Sequence, residues 1–319
     1  MNEVNHRSVK TNGITMHIAE AGSGPLVLLC HGFPECWYSW RHQLPALAEA
    51  GFWAVAPDQR GYGRTDCPQA VGAYNIFQLV GDMLGVVKAL GAPTTVIVGH
   101  DWGAPVAWSA ALLRPDVFRA LALLSVPYRP RSAVRPSELM RALAGNRVFY
   151  QEYFQTPGKA ESELDAAPDK SIRAILYSAA GDAAPAQRWR YLFESNERLF
   201  DTVSLPEKLP AWLTEKDVEF YAAEFRRTGF RGGLNWYRNI DFNWEMTPFL
   251  DGARPSQPAL FIAGEKDPVI EFYGPAYQTL ENALPNLKKK TLLPGAGHWI
   301  QQERPQEVNR LLTDFLKSL

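Results

Sequence analysis

Apolar, often β-branched runs of strand length recur along the chain at Leu26 to Cys30, Trp53 to Ala56, Thr95 to Val98, Leu121 to Leu124, Ala259 to Ala263 and Thr291 to Leu293. They read as core strands. Between several of them the spacing changes: within Phe77 to Leu90, the residues Leu79, Val80, Met83, Val86, Val87 and Leu90 recur at helical intervals. Strand and helix alternating in this way predict a mostly parallel sheet flanked by helices. The beginning differs. Val4 to Val9 and Ile14 to Ala19 flank Lys10-Thr11-Asn12-Gly13, and an Asn-Gly turn between alternating segments predicts an antiparallel hairpin at one edge.

The alternation breaks from about Tyr128 to Arg254, where the chain becomes helical and aromatic with no strand-like run long enough to join the sheet. The pattern therefore predicts a helical cap at 131–253, inserted between the two parts of one core, 1–130 and 254–319. One cap helix is bounded by its own letters. Thr214 and Asp217 suit a capping box, Val218, Tyr221, Ala222 and Phe225 form one apolar face, and Arg226, Arg227 and Gly229 suit its end. Without a glycine- and serine-rich linker, this cap should pack tightly on the sheet.

Size agrees with that layout, since 319 residues exceed the usual domain of about 100 to 200 residues. With 46% hydrophobic and 21% charged residues, a disordered or fibrous chain is excluded. The 33 basic residues balance 34 acidic ones without a long run of either sign, so the electrostatic footprint of a nucleic-acid binder is missing. Three irregularly spaced cysteines, Cys30, Cys36 and Cys67, make no disulfide framework and suit a reducing, cytoplasmic compartment. The opening MNEVNHRSVKTNG carries charge where a signal peptide is apolar, and no stretch of about 18 apolar residues occurs. Neither export by that route nor a membrane span is expected.

Chemistry concentrates in three segments. In TTVIVGHDWGAPVAW a strand runs through Gly99-His100-Asp101-Trp102-Gly103 into a helix, the shape of G-x-S-x-G with aspartate in the central place. Such a nucleophile elbow exposes its central side chain on a strained turn, while flanking glycines let strand and helix approach closely. Alone, Asp101 could be an ordinary helix cap. The other two segments decide: ALFIAGEKDPVI places Asp267 just past a strand, and LLPGAGHWI places His298 past another, in the order nucleophile, acid, base. VLLCHGFPE supplies a loop whose Phe33 N–H, beside that of Trp102, can form an oxyanion hole, with Phe33-Pro34 a candidate cis bond. Gly22-Ser23-Gly24 precedes its strand and Gly61-Tyr62-Gly63 lacks a third glycine, so neither is a dinucleotide loop. Metal-ligand spacing is also missing around His298. No cofactor is implied.

A carboxylate nucleophile is already ionised at neutral pH and suits strained or activated sp³ carbons. Attack leaves an alkyl ester that water can hydrolyse if His298 takes its proton and Asp267 orients the imidazole. Haloalkanes and epoxides both fit. A halide leaves without a proton, whereas an opened epoxide leaves a basic alkoxide and needs an acid facing Asp101, a task tyrosine can perform. The cap offers Tyr150 and Tyr153 in RVFYQEYFQTPG and Tyr237 in GFRGGLNWYRNIDFNW.

Taken together, HGFPE, DQRGYGRTD, GHDWGA, FYQEYFQ, GFRGGLNWYRN and GHW resemble the soluble epoxide hydrolases over nearly the whole chain, and most closely the hydrolase domain of the vertebrate enzyme. GHDWG also occurs among haloalkane dehalogenases, the alternative reading; NWYRN is the more specific signal. The resemblance implies an α/β-hydrolase fold and assigns Asp101 as nucleophile, Tyr150 and Tyr237 as ring-opening acids, with Tyr153 as a fallback, and His298 with Asp267 as the water-activating pair. A non-catalytic relative would be expected to have lost part of this set. Phe33, Trp37, Trp102, Phe154 and Trp299 are expected to line an apolar pocket for a small hydrophobic epoxide, with water as the second reactant.

Overall fold

The computed structural model describes residues 3–319. Its main sheet has eight strands in the order β1-β2-β4-β3-β5-β6-β9-β10, where β1 is Asn5–Thr11, β2 Ile14–Ala21, β3 Leu26–Cys30, β4 Trp53–Pro57, β5 Thr95–His100, β6 Phe118–Leu124, β9 Ala259–Gly264 and β10 Leu287–Leu293. The first two form the antiparallel hairpin that the Asn-Gly turn predicts, with Asn12 and Gly13 both at positive φ, 39° and 78°. β2 also meets β4 antiparallel, and the remaining pairs are parallel. Every residue of β3, β5 and β9 is buried, which is why their letters read as unbroken apolar runs.

Two strands begin earlier than the apolar pattern predicts. β6 starts at Phe118. β10 starts at Leu287, because Lys288 and Lys289 are exposed on the sheet's last strand, and edge lysines hide a strand from a hydrophobic pattern while discouraging edge-to-edge pairing.

Between β6 and β9 the chain leaves the sheet and is mainly helical, apart from the two-residue strands β7, Val148–Phe149, and β8, Leu192–Phe193, which pair with each other. Helix Glu215–Thr228 carries the expected capping box: Thr214 Oγ1 accepts from the Asp217 amide at 3.2 Å, and Asp217 Oδ2 accepts from the Thr214 amide at 2.8 Å. Its buried face, including Val218, Tyr221 and Phe225, lies against the core. Tyr38 donates to Asp217 at 2.9 Å, the Ser39 and Tyr221 hydroxyls share a hydrogen bond of 2.7 Å, and the Trp236 indole N–H donates to the Arg60 carbonyl at 3.2 Å. These links fix the helical insertion over the C-terminal ends of the parallel strands, where α/β sheets collect their functional loops. No helix among the described residues is long and apolar enough to cross a membrane.

Candidate active site

β5 ends in the elbow. Asp101 sits at φ 49°, a left-handed conformation that costs a non-glycine residue of order 1 kcal/mol and is held only when its surroundings fix it. They do: a Cβ on Gly99 would lie 2.0 Å from the Gly103 carbonyl oxygen, and one on Gly103 would lie 2.0 Å from that of Cys30. Glycine is required at both flanks so that helix Gly103–Leu113 can start directly behind β5 and against β3. Trp102 is the N-cap residue of that helix, so its amide belongs to the turn whose N–H groups have no helical partner.

The loop after β3 brings the Phe33 N–H to 2.8 Å from Asp101 Oδ1, with Phe33-Pro34 cis. Gly32 passes so close that a Cβ there would lie 2.3 Å from the same oxygen. On the other side, His298 Nε2 is 3.4 Å from Asp101 Oδ2. His298 Nδ1 lies 3.1 and 3.2 Å from the two oxygens of Asp267, and Asp267 Oδ1 is steadied by the Val269 N–H at 2.8 Å. Burial works against charge on the His298 ring, but Asp267 and Asp101 outweigh it and hold the imidazolium pKa well above its ordinary value.

Tyr150, opening the short helix Tyr150–Tyr153, and Tyr237, in helix Arg231–Arg238, face each other with ring centroids 6.0 Å apart. Both line the same cavity of about 290 Å³ as Asp101 and Trp102. A smaller lobe of about 40 Å³ continues past Asp101 and both tyrosines to Phe33, His298 and Trp299. Burial, with the neighbouring phenol of Tyr273 and the charge of Asp101, raises the Tyr150 pKa well above the ordinary phenol value. Burial, Tyr150 and Asp101 do the same for Tyr237, partly opposed by the Trp102 indole, which stands edge-on to it at 5.1 Å. Both hydroxyls are therefore protonated at neutral pH.

Two residues lie elsewhere than the sequence suggests, and the fallback acid lies outside the cavity. Phe154 is buried behind the cavity wall, its ring 5.5 Å from that of Tyr150 and 5.1 Å from that of Tyr237, so it backs the pair of phenols instead of lining the pocket. Trp37 is turned away altogether: the chain after HGFPE enters the 3-10 turn Trp37–Trp40, and the indole packs among His6, Tyr38 and Phe220. Tyr153 is also outside, its hydroxyl bonded to Glu163 and its ring under Lys159.

Two further residues, which the motifs alone do not mark, belong to the site. Glu35 and His100 are fully buried and join the two sides of the site. Glu35 accepts from the Gly32 amide at 3.0 Å and faces His100 Nδ1 at 2.7 Å, while His100 Nε2 lies 2.7 Å from the His298 carbonyl. Burial alone would raise the Glu35 carboxyl, yet His100 and further hydrogen bonds lower it to about 2. Their signal in the sequence is a glutamate closing HGFPE and a histidine directly before Asp101 in GHDWGA.

A family model for the α/β-hydrolase fold matches residues 25–305. Epoxide hydrolase A of Mycobacterium tuberculosis is 45% identical over 315 residues, covering 98% of this chain and 97% of that protein. This chain belongs to the epoxide hydrolases of the α/β-hydrolase fold. A solved epoxide hydrolase from an endophytic Streptomyces superposes with a TM-score of 0.96 at 48% identity, covering 98% of this epoxide-hydrolase-family chain and 95% of that one. The bifunctional epoxide hydrolase 2 of Sus scrofa is 40% identical across 96% of this chain but only 54% of its own length, in keeping with a likeness to the hydrolase domain of the vertebrate enzyme.

Proposed function

We propose that the chain converts small hydrophobic epoxides to vicinal diols in two covalent steps. The observation that carries this reading is the placement of Asp101 between a pair of protonated phenols on the cavity side and a histidine-aspartate pair behind. In the first step an Asp101 carboxylate oxygen attacks an oxirane carbon, the C–O bond breaks, and the alkoxide takes a proton from Tyr150 or Tyr237. The products of that step are a hydroxyalkyl ester of Asp101 and one tyrosinate. In the second step His298 takes a proton from water, the hydroxide adds to the ester carbonyl carbon, and the oxyanion is held by the Phe33 and Trp102 amides. Collapse breaks the acyl C–O bond, the departing oxygen takes the proton of the added hydroxyl, and the diol leaves with the original carboxylate oxygen in it while Asp101 is again ionised; the proton on His298 returns to the tyrosinate through solvent.

On this reading 131–253 form a cap that carries both phenols over the two parts of the core, 1–130 and 254–319. The unpaired state of Cys30, Cys36 and Cys67 supports a cytoplasmic location. The cavity is mostly apolar, with Trp108, Leu112 and Trp244 in its wall and a volume of about 290 Å³, in the lower range of ligand pockets, which supports a small apolar substrate. Incubation with styrene oxide tests the reading: the wild-type protein should release the vicinal diol and Asp101→Asn should release none. A wild-type protein that leaves aryl, terminal and fatty-acid epoxides untouched would overturn it.

A further inference from the structure

Gln151 follows Tyr150 in the chain, is 8% exposed, and belongs to the wall of the same cavity. Its side-chain amide Nε2 donates to the Tyr150 hydroxyl oxygen at 2.8 Å. A phenol has one hydrogen to give and lone pairs to receive, whereas an amide nitrogen only donates. The Tyr150 hydrogen is thus not spent on Gln151 and is free to point at a guest in the cavity, while a lone pair of the same oxygen is already held.

A second contact fixes this arrangement against the other phenol. Gln155 Nε2 donates to the Gln151 carbonyl at 2.9 Å and to the Tyr237 carbonyl at 3.0 Å. One side-chain amide therefore ties the backbone that carries the Tyr150–Gln151 pair to the helix that carries Tyr237. An amide N–H meets the oxygen of Tyr150 at 2.8 Å, while the Trp102 indole stands edge-on to Tyr237 and opposes the rise of its pKa in the same direction.

We infer that Gln151 is a positioning residue that strengthens Tyr150 as a ring-opening acid, by orienting its proton into the cavity and by holding the tyrosinate left when that proton is given to the alkoxide. The inference rests on the epoxide-opening reading above. Its energetic basis is differential: a hydrogen bond to an ionised oxygen is roughly twice as strong as one to a neutral oxygen, so the Gln151 contact strengthens as ring opening proceeds and lowers the barrier. The opposing influence of Gln151 on the burial-driven rise of the Tyr150 pKa has the same sign.

Two substitutions separate orientation from packing. Gln151→Leu removes the donor while keeping a side chain of similar size in the wall, and should slow formation of the alkyl-enzyme from styrene oxide roughly 10-fold to 100-fold. Gln151→Glu puts an acceptor where the donor was, so the Tyr150 proton is drawn away from the oxirane. That variant should be slower than Gln151→Leu although its shape is conserved. Decay of the ester should be unchanged in both, and a tyrosinate titration followed by ultraviolet difference spectroscopy should move to higher pH. In a Tyr150→Phe background Gln151→Leu should add almost nothing, since both remove one interaction. Wild-type alkylation in a folded Gln151→Leu or Gln151→Glu variant would overturn the inference, as would a full additional loss in the Tyr150→Phe background. If Gln151→Leu failed to fold, the ordering of Gln151→Glu against wild type would still decide. A wild-type protein inactive on epoxides would refute the underlying reading instead, a result distinct from active wild type with indifferent Gln151 variants.

Discussion

His298 Nε2 lies 3.4 Å from Asp101 Oδ2, so the proposed base rests against the proposed nucleophile. Two carboxylates raise the His298 pKa in the free protein, Asp267 on one nitrogen and Asp101 on the other, against the opposing effect of burial. On the proposed mechanism, esterification removes the charge of Asp101. The ring then keeps only Asp267 as counter-ion and its pKa falls, delivering the neutral base when water must be activated. Attack by Asp101 does not need that base.

The consequence is a separation of pH profiles. Ester decay, followed in single turnovers, should rise with pH to a plateau at a midpoint lower than the pH at which the His298 ring titrates in the free protein by NMR. Because the folded pKa lies above the ordinary histidine value, the ion-pair contribution to stability is fully present below that ordinary value and is lost as pH rises through the higher folded one. Identical midpoints for the free ring and for ester decay would remove the switching role of Asp101.

Removing either phenol hydroxyl leaves one donor to the developing alkoxide. Tyr150→Phe and Tyr237→Phe should each slow ring opening by about 10-fold to 100-fold, and the double change should approach the full contribution of a general acid, about 100-fold to 10,000-fold. Rapid-quench measurement of alkyl-enzyme formation reads both. Unimpaired diol formation by the double variant would transfer the role away from these tyrosines and revive a dehalogenase chemistry.

Elbow glycines make a sharper structural test. Gly103→Ala places a Cβ 2.0 Å from the Cys30 carbonyl oxygen, a clash with backbone that cannot turn aside, and should destabilise the fold by about 3 kcal/mol or more. Gly72→Ala, where nothing lies within 4 Å, serves as the control and should leave the melting temperature nearly unchanged. Equal melting temperatures for the two variants would mean that the close approach of strand and helix is dispensable.

Much of this arrangement was legible because each feature has a local cause. The hairpin is written in Asn12-Gly13, the buried strands in unbroken apolar runs, and the elbow in glycines that have no room for a Cβ. The placement of Tyr150 and Tyr237 at the cavity was to be expected only through resemblance, since aromatic residues in a helical segment serve packing as readily as chemistry. Trp37 and Phe154 illustrate that ambiguity: they neighbour the motifs in sequence, yet one turns toward His6 and the other supports the phenols from behind. The Glu35–His100 link joins the loop after β3 to the last residue of β5, and no spacing along one chain announces a contact of that kind. β10 was half hidden because an edge strand needs lysine where a central strand needs valine.

The most direct measurement is the intact mass of His298→Gln after exposure to excess styrene oxide. Alkylation of Asp101 should survive, because Tyr150 and Tyr237 still face the oxirane, but water at the ester lacks its base. The protein should therefore gain the mass of one whole epoxide, with the label in the peptide that holds Gly99 to Gly103. A folded variant that binds the epoxide and gains no mass would contradict the covalent mechanism and leave direct attack by water, with Asp101 as its base, as the better description.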